Sequence, residues 1–301
     1  MSIRTGTLAV LAALLALPSA RAGEAPPTTA SVLETSTADD WRRPDPADTL
    51  YLDLAGGRVV IELAPGFAPA HVENVRTLAR EGFWDGLSIN RVQDNYVAQW
   101  GDAAAGEAGA RGLGGARTRL PAEFERDADG LHLAALAEGD VYAPEVGWAE
   151  GFPVARDPAR GRAWLAHCYG MVGAGRGMAA DSSTGAELYA VIGHAPRHLD
   201  RNITLVGRVI RGIEHLSALP RGTGPLGFYT EAVQRVRIER VRLAADLPED
   251  EREAIEILRT DTPTFRRLVE ARRNRHEDWF IDPVGRVELC NVPLPVREAA
   301  R

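Results

Sequence analysis

The pattern of apolar and polar positions first becomes regular near residue 50. Apolar residues occupy alternate positions at 50–54 and again at 59–63, and Gly56-Gly57 lies between the two runs. A period of two is typical of a half-buried strand, because successive side chains of a strand point to opposite faces. The segment 50–63 therefore predicts a β-hairpin with its turn at the glycine pair.

A helical period follows the hairpin. After Pro69, the residues Val72, Val75 and Leu78 fall on one helical face, and Gly82 is placed to end the helix. Further strand-like runs occur at 87–92, 96–100, 166–172, 187–192, 204–210 and 233–243, and a short helix is expected at 213–219. Because strands outnumber helices and do not alternate with them, we predict a mainly β fold, an antiparallel barrel or sandwich.

Three regions lie outside this pattern. Residues 23–48 are rich in Pro and Thr and predict a linker or loosely docked arm, with Trp41 as its anchor. The Gly-, Ala- and Arg-rich stretch 103–163 is interpreted as partly inserted loops, with a turn at 120–124. The segment 245–301 is expected to form a helical C-terminal extension.

The predicted extension has two helices. Ala254, Ile255 and Leu258 form one apolar stripe, and Thr262-Pro263 begins a second helix. The second helix would bury Phe265, Leu268 and Val269.

Composition excludes several classes of function. The chain carries 35 basic against 42 acidic residues, a formal net charge of −7, and every basic residue is arginine. Without lysine, Schiff-base chemistry and a Walker-type phosphate loop are excluded. The negative charge, without a basic cluster, argues against binding to nucleic acid or to an anionic membrane.

The N-terminus has the pattern of a secretory signal. Arg4 precedes an apolar run at 8–17 that is short for a membrane span, and Ala20-Arg21-Ala22 fits a cleavage site. We therefore expect residues 1–22 to be removed on export, a periplasmic location and no stable membrane insertion.

Two cysteines, Cys168 and Cys290, leave two alternatives open. They can form one long-loop disulfide in an oxidising compartment, or remain as two buried thiols. Their spacing matches neither a zinc site nor a redox pair.

Two matches to common enzymatic motifs give little evidence of function. His194 and His198 have metal-ligand spacing, but Pro196 between them disrupts the helix that would place both on one face. The segment 175–180 fits a loose dinucleotide-binding fingerprint, yet the following residues predict a turn instead of the required helix. No metal or cofactor is expected, and a dinucleotide enzyme remains a disfavoured alternative.

The informative stretch is 90–102, NRVQDNYVAQWGD. It resembles the hallmark of the cyclophilin family of peptidyl-prolyl isomerases, Phe-His-Arg-x-x-x-Gly-Phe-Met-x-Gln-Gly-Gly-Asp. Further stretches resemble family segments in the right order: AHVENV at 70–75, GMVGAG at 170–175, TGAELY at 184–189 and LDRNITLVGRV at 199–209. The resemblance spans about residues 49–244.

The resemblance implies an eight-stranded antiparallel β-barrel capped by helices, acting on proline-containing polypeptides. It places Arg91 at the catalytic arginine. The implied substrate-binding residues are Tyr96, Val97, Gln99, Gly175, Glu187, Tyr189, His198 and Leu199. The reaction needs no nucleophile or cofactor, because a guanidinium that donates to the prolyl nitrogen stabilises the twisted amide over the planar one.

The sequence also departs from the family pattern. The substituted positions are Ile89-Asn90 for Phe-His, Val97 for Met, Trp100 for Gly, Arg176 for Asn, Glu187 for Gln, His198 for Trp and Ile203 for His. These changes reshape the slot, so a peptide-binding module that has lost turnover is the alternative to an active isomerase.

Overall fold

The computed structural model describes residues 26–299. Its strands are β1 Trp41–Arg42, β2 Thr49–Leu54, β3 Gly57–Leu63, β4 Ser88–Val92, β5 Val97–Gly101, β6 Arg126–Asp127, β7 Ala134–Ala135, β8 Glu145–Ala149, β9 Phe152–Asp157, β10 Arg162–Leu165, β11 Met171–Ala174, β12 Leu188–Val191, β13 Leu205–Arg211, β14 Val236–Leu243, β15 Ile255–Leu258 and β16 Val296–Glu298. The α-helices are α1 Thr29–Glu34, α2 Pro69–Arg80, α3 Glu214–Ser217 and α4 Pro263–Arg273. Short 3₁₀ turns lie between them, among which Arg197–Leu199 borders the site described below.

Eight strands close into a barrel in the order β11-β12-β5-β4-β14-β2-β3-β13. All eight neighbouring pairs are antiparallel, which confirms the predicted architecture. The hairpin β2–β3 pairs Leu50 with Ile61 and Leu54 with Gly57, as the alternating pattern predicts. Closure removes the exposed sheet edges, and the interior fills with aliphatic side chains such as Leu52 and Ile61, both fully buried.

Helix α2 covers one part of the barrel. Pro69 occupies its first turn, where a missing N–H costs no hydrogen bond. Its buried face includes Val72, Val75 and Leu78, as predicted. Gly82 follows the helix with a φ of +67°, a conformation that glycine adopts without steric cost.

The stretch 103–163 contains more structure than the inserted loops that the sequence predicted. Its second half forms a five-stranded antiparallel sheet in the order β6-β10-β9-β8-β7. The pattern escaped detection because two of the strands have only two residues and because small or charged residues replace the usual apolar alternation. Gly147 shows why small residues are needed, since an added Cβ would lie 2.2 Å from the carbonyl oxygen of Ala134.

The predicted helix around 254–258 is wrong, because these residues form strand β15. This strand lies between β1 and β16 in a three-stranded sheet. A window of four or five apolar residues does not distinguish the two periods, and here the pairing partners come from the two ends of the chain. The second predicted helix is confirmed as α4, and the Thr262 hydroxyl caps it by accepting a hydrogen bond from the Phe265 N–H (3.2 Å).

The N-terminal arm is attached through this small sheet. Trp41 in β1 is buried, and the Arg297 guanidinium lies 4.1 Å from its ring centroid, so the predicted anchor is confirmed. Val32 in α1 is a second, unpredicted anchor with no exposed surface. The predicted signal segment 1–22 lies outside the described residues.

A second hydrophobic cluster lies outside the barrel. We call it the lobe core. It joins Val32 of α1, strands β8–β10, helix α4 and the segment 289–292 to barrel residues such as Met171 and Leu205. Cys168 and Cys290 form a disulfide at this junction, which decides between the two alternatives. Within residues 26–299, no helix is both long and apolar enough to cross a bilayer.

Candidate active site

A cavity of about 610 Å³ opens beside strands β4, β5 and β12. Eight of the nine predicted site residues line it: Arg91, Tyr96, Val97, Gln99, Gly175, Glu187, Tyr189 and Leu199. These residues come from segments up to 108 positions apart in the chain, and barrel closure brings them together.

Strand register places the central side chains next to one another. Arg91 of β4 is paired with Gln99 of β5, and Gln99 is paired with Tyr189 of β12. The register of β4 shifts between Ile89 and Arg91. Directly opposed residues on neighbouring strands lie close enough for their side chains to interact, so three strands present one polar row to the cavity.

Three acceptors hold the Arg91 guanidinium. Nη1 donates to Gln99 Oε1 (2.8 Å), Nε donates to the Leu226 carbonyl oxygen (2.7 Å), and Nη2 donates to Gln93 Oε1. Guanidinium has five N–H groups, so two N–H groups remain for a ligand. Burial lowers the pKa of Arg91 from its usual value, and arginine remains charged at any physiological pH.

Two aromatic rings flank the same guanidinium. The Arg91 Cζ atom lies 5.4 Å from the ring centroid of Phe228 and 5.6 Å from that of Tyr96. Both distances are within the range of cation–π attraction. Phe228 also forms an isolated β-bridge with Arg91, so the segment 226–228 supports the arginine through backbone and ring.

Glu187 determines how the Gln99 amide is oriented. The Gln99 Nε2 donates to Glu187 Oε1 (2.6 Å), which leaves the amide oxygen facing Arg91. Burial raises the pKa of the Glu187 carboxyl above its usual value, and the hydrogen bond from Gln99 and the charge of Arg91 act in the opposite direction. Arg91, Gln99 and Glu187 therefore form one hydrogen-bonded chain along the cavity wall.

Tyr189 is fixed from below by a buried polar chain. Its hydroxyl lies 3.0 Å from His167 Nε2, and His167 Nδ1 lies 2.9 Å from Asp200 Oδ1. Asp200 also accepts a hydrogen bond from Arg197 Nε (2.7 Å). Because an ionised carboxylate only accepts, His167 Nδ1 donates to Asp200, and the other ring nitrogen, Nε2, is left to interact with the tyrosine hydroxyl.

The pKa directions agree with this arrangement. Burial raises the pKa of Tyr189 and keeps its hydroxyl protonated. Burial alone would raise the pKa of Asp200, but the His167 hydrogen bond and the Arg197 charge together hold it below its usual value.

Gly173 leaves the space that the Tyr189 ring occupies. A Cβ at this position would lie 2.2 Å from both Cζ and Oη of Tyr189. Gly173 and Tyr189 are also paired across strands β11 and β12. A tyrosine at the floor of the cavity therefore depends on the glycine beside it.

The family model described as "Cyclophilin type peptidyl-prolyl cis-trans isomerase/CLD" matches residues 49–243. The chain belongs to this family. The match covers the whole barrel and includes the inserted sheet, in agreement with the range that the sequence motifs indicated.

Relatives agree with this assignment. The chain is 39% identical over 90 residues to a probable peptidyl-prolyl cis-trans isomerase of Brucella suis, covering 28% of this chain and 46% of that protein. It is 24% identical over 184 residues to peptidyl-prolyl cis-trans isomerase B of Bacillus subtilis, covering 61% of this chain and 92% of that protein. The aligned region thus spans about half the length of the Brucella relative.

A solved structure shares the fold over most of the chain. The crystal structure of cyclophilin AquaCyp293 from Hirschia baltica superposes with a TM-score of 0.68 at 26% identity. The superposition covers 91% of this chain and 99% of that one. The similarity therefore extends beyond the barrel to parts of the N- and C-terminal regions.

The structure places His198 elsewhere than predicted. It is exposed and is absent from the cavity lining, although the cyclophilin motif puts it in the groove. The reason is the 3₁₀ turn Arg197–Leu199. Arg197 is buried and forms ion pairs with Asp140 and Asp200, and Leu199 lines the cavity. The residue between them is directed to solvent.

Several cavity residues escaped the sequence analysis. Loop residues 102–113 form part of the rim, and Arg111 fixes this loop by donating from Nη1 to the Phe83 carbonyl oxygen (2.6 Å). His167, Gln93, Leu226 and Phe228 also contact the predicted residues. Of these four, only Gln93 lies within the quoted motif, and the other three have no local pattern that connects them with Arg91 or Tyr189.

The segments of the two other motifs can be located in the structure. Within the described residues 175–187 no helix follows the glycine-rich segment, and Gly175 lines the cavity instead. Across residues 26–299, no three His, Cys, Asp or Glu side chains are grouped so as to hold a metal ion.

Proposed function

We propose that this cyclophilin-family protein catalyses cis–trans rotation about Xaa-Pro bonds, with Arg91 as the catalytic residue. The observation that carries the proposal is the Arg91 guanidinium at the cavity wall, held by three acceptors with two N–H groups left for a ligand. Proline-containing peptides are the substrates of this family.

The chemistry follows from the electronic structure of the amide. Rotation about C–N must overcome a barrier of about 18–20 kcal/mol because resonance gives the bond double-bond character. In the twisted state the prolyl nitrogen regains a lone pair and accepts a hydrogen bond, whereas the planar nitrogen does not. An arginine N–H at this nitrogen therefore binds the twisted state in preference to the planar one.

The rest of the cavity supplies binding and orientation. Tyr96, Val97, Tyr189 and Leu199 provide an apolar surface for the prolyl ring. Gln99 is held between Arg91 and Glu187, so its amide does not need to reorganise when a substrate arrives. Preorganised polar groups of this kind contribute to catalysis because no reorganisation energy is spent during the reaction.

The test compares Arg91→Ala with the wild type on a short Xaa-Pro peptide. Loss of one preorganised donor lowers kcat/KM by about tenfold to a thousandfold. Arg91→Lys should restore only part of the rate, because lysine lacks the planar fork. Arg237→Ala is the matched control, since Arg237 is an exposed strand arginine outside the cavity.

An Arg91→Ala protein that keeps its circular dichroism spectrum and the full rate would overturn the mechanism. If Arg237→Ala lost rate to the same extent, the loss would follow from removing any arginine and not from the position of Arg91.

A peptide-binding module without turnover is the second candidate. It is favoured by the Glu187 carboxyl in place of the family's glutamine and by the three acceptors that already engage Arg91. NMR titration with the same peptide separates the two functions. Chemical-shift changes at the cavity without accelerated exchange between the cis and trans signals would select the binding module.

We propose further that the protein acts on exported polypeptides in the periplasm. The signal-like pattern of residues 1–22 and the Cys168–Cys290 disulfide support this location, because disulfides persist in oxidising compartments. Uncatalysed prolyl isomerisation takes tens to hundreds of seconds, so such a catalyst would assist folding. Mass spectrometry of the protein from its native host should find a chain beginning near Gly23, and an intact Met1 would contradict the export proposal.

A further inference from the structure

A second cavity, of about 790 Å³, lies on the other side of the 3₁₀ turn Arg197–Leu199. Its walls come from the inserted region at 138–142, from the segment 193–197 and from the C-terminal region at 272–291. Leu199 lines the active cavity and Arg197 lines the second one. Two residues of chain span at most about 7 Å, so the two cavities are close neighbours.

Two of the four arginines that line this second cavity, Arg272 and Arg286, form no ion pair among residues 26–299. Arg272 Nη2 donates to the Asn291 carbonyl oxygen (3.1 Å), and it forms no ion pair among residues 26–299. Arg286, which is exposed, has neither a hydrogen bond nor an ion pair within the same residues. Burial and the neighbouring charge of Arg275 lower the pKa of Arg272, and the charge of Glu277 acts in the opposite direction. Arg275 itself forms an ion pair with Glu277 (3.3 Å).

The acidic residues of the cavity are already engaged. Asp140 accepts from Arg197 Nη1 (2.9 Å), and Glu138 forms an ion pair with Arg273. Glu288 caps a short turn by accepting from the Cys290 N–H (2.9 Å). The lining holds four arginines (Arg197, Arg272, Arg275 and Arg286) against three carboxylates (Glu138, Asp140 and Glu288), in a protein whose formal net charge is −7.

Aromatic side chains complete the lining. Tyr142 and Tyr169 are each about half exposed at its surface (49% and 48%). Arginine and tyrosine are enriched at peptide-binding and protein-binding surfaces, because both combine contact area with directional donors. Such a lining fits a polypeptide better than a small inorganic ion.

We propose that this second cavity, which we call the arginine cavity, binds acidic side chains of the polypeptide substrate on one side of the reacting proline. The proposal rests on the isomerase function and names a substrate class for it, namely proline-containing segments with a nearby acidic run. Position supports it, because a peptide seated in the active cavity needs only a few extended residues to cross the turn at 197–199. Charge supports it as well, because Arg272 and Arg286 can pair with carboxylates of the substrate. Elsewhere the net negative charge of the protein repels acidic substrates.

The experiment uses two peptides with the same Ala-Xaa-Pro core. One carries three Glu residues beyond the core and the other carries three Gln residues, and each is made with the run before or after the proline. NMR exchange measurements on the full chain give kcat and KM without a coupling protease. We expect KM for one Glu peptide to be about three- to tenfold lower than for its Gln counterpart, with equal kcat.

The variant Arg272→Gln/Arg286→Gln should raise KM of the preferred Glu peptide to that of the Gln peptide. Salt at about 0.5 M should have the same effect on the wild type, since screening weakens exposed ion pairs. Arg266→Gln is the matched control, because Arg266 lies exposed on the same helix α4 but outside the arginine cavity. An unchanged kcat on the Gln peptide shows that each variant is folded.

Equal KM for Glu and Gln peptides in both arrangements would overturn the arginine cavity and leave the isomerase function intact. An equal rise of KM in Arg266→Gln would also overturn it, since the effect would then be one of general charge. Absence of catalysis on every peptide would contradict the proposed function instead. In that case calorimetric binding of the same Glu and Gln peptides decides on the arginine cavity by itself.

Discussion

The barrel and the lobe core are built on different principles, although one chain forms both. The barrel interior consists of alternating aliphatic residues from strands whose neighbours follow a family topology, and residues such as Leu52, Ile61 and Val172 are fully buried. The lobe core instead joins distant short segments around aromatic residues. Trp148 of β8 and Phe265 of α4 meet there edge to face, with ring centroids 5.1 Å apart.

The junction between them is unusually polar. Arg208 projects from the outer face of the barrel, is 5% exposed, and lies 3.3 Å from Glu62 Oε2. Arg42 of the N-terminal arm forms an ion pair with the same carboxylate (2.6 Å). Burial lowers the pKa of Arg208, and the charge of Glu62 acts against that shift. Buried ion pairs contribute little net stability. The attachment of the lobe core to the barrel therefore depends on aromatic contacts and on the disulfide.

The residues of the candidate active site and the contacts that attach the lobe core lie in different parts of the molecule. Arg91, Gln99 and Tyr189 lie on barrel strands that barrel closure fixes. The segments of the lobe core form part of the second cavity and contribute to stability. Changes in the lobe should therefore alter stability with little effect on short substrates, whereas changes in the barrel wall should alter catalysis.

The largest effect is expected from the disulfide. Replacing both cysteines, Cys168→Ser and Cys290→Ser, opens a loop with a sequence separation of 122. In the chain-entropy model the free energy of unfolding falls by about 4–5 kcal/mol. Urea unfolding followed by tryptophan fluorescence measures this loss. Because the barrel wall is not touched, kcat/KM on a short peptide at 25 °C should stay within about twofold of wild type.

Reductant should lower the urea midpoint of the wild type in the same way and leave the double variant unchanged. A midpoint that does not respond to reductant would contradict the stabilising role of the bridge.

Compared with removal of the disulfide, Gly173→Ala should reduce stability less and catalysis more. The new methyl group meets the Tyr189 ring, so overpacking should cost about 1–3 kcal/mol of stability. The displaced ring should lower kcat/KM on the order of tenfold. Steady-state kinetics combined with urea unfolding measures both quantities.

Gly207→Ala is the matched control on strand β13, where the added Cβ would meet the backbone of β3 instead of the Tyr189 ring. Its Cβ would lie 2.2 Å from the Glu62 carbonyl oxygen, away from the active cavity. It should lose stability and keep its rate on short peptides. Equal loss of rate in both variants would remove the link between Gly173 and the position of Tyr189.

The smallest effect is expected from Glu187→Gln. Burial raises the pKa of Glu187 in the folded state above its value in the unfolded chain. The contribution of this group to stability is therefore fully present below the ordinary pKa, where the carboxyl is protonated in both states. It is lost as pH rises through the raised pKa. The amide should therefore increase stability at neutral pH and have no advantage at low pH. Urea unfolding at several pH values between about 4 and 8 measures the difference between the two proteins.

The hydrogen bond to Gln99 can be made by an amide oxygen, so we expect kcat/KM to change by less than about threefold. A variant that is less stable than the wild type at neutral pH would show that the carboxylate is needed in its charged form.

Much of the barrel could be predicted from local patterns. Alternation at 50–63 predicted the hairpin, and the motif at 90–102 indicated Arg91, Tyr96 and Gln99. The hairpin prediction works because a strand that faces a core on one side must alternate, whatever lies across from it. The capped start of α4 at Thr262-Pro263 was predicted for the same reason, since its signals lie within one helical turn. The site residues were indicated by the resemblance to the cyclophilin motif.

Other features depended on partners that are distant in the chain. Residues 255–258 became a strand because β1 and β16 pair with it from the two ends of the chain. His167 lies next to Tyr189 only because Asp200 and the barrel bring them together. His198 points to solvent because the buried ion pairs of Arg197 determine the rotation of a three-residue turn.

From the sequence alone, the period of side chains predicts the strands of the hairpin, and the resemblance of residues 90–102 to the cyclophilin hallmark indicates which arginine faces the cavity. Three features became visible in the folded chain alone: the five-stranded sheet, the Cys168–Cys290 pairing, and the placement of Arg272 and Arg286 in one cavity. The physical reason is that these features are contacts between segments far apart in sequence. Their free energy comes from burial and charge in the assembled fold, and no local period encodes them.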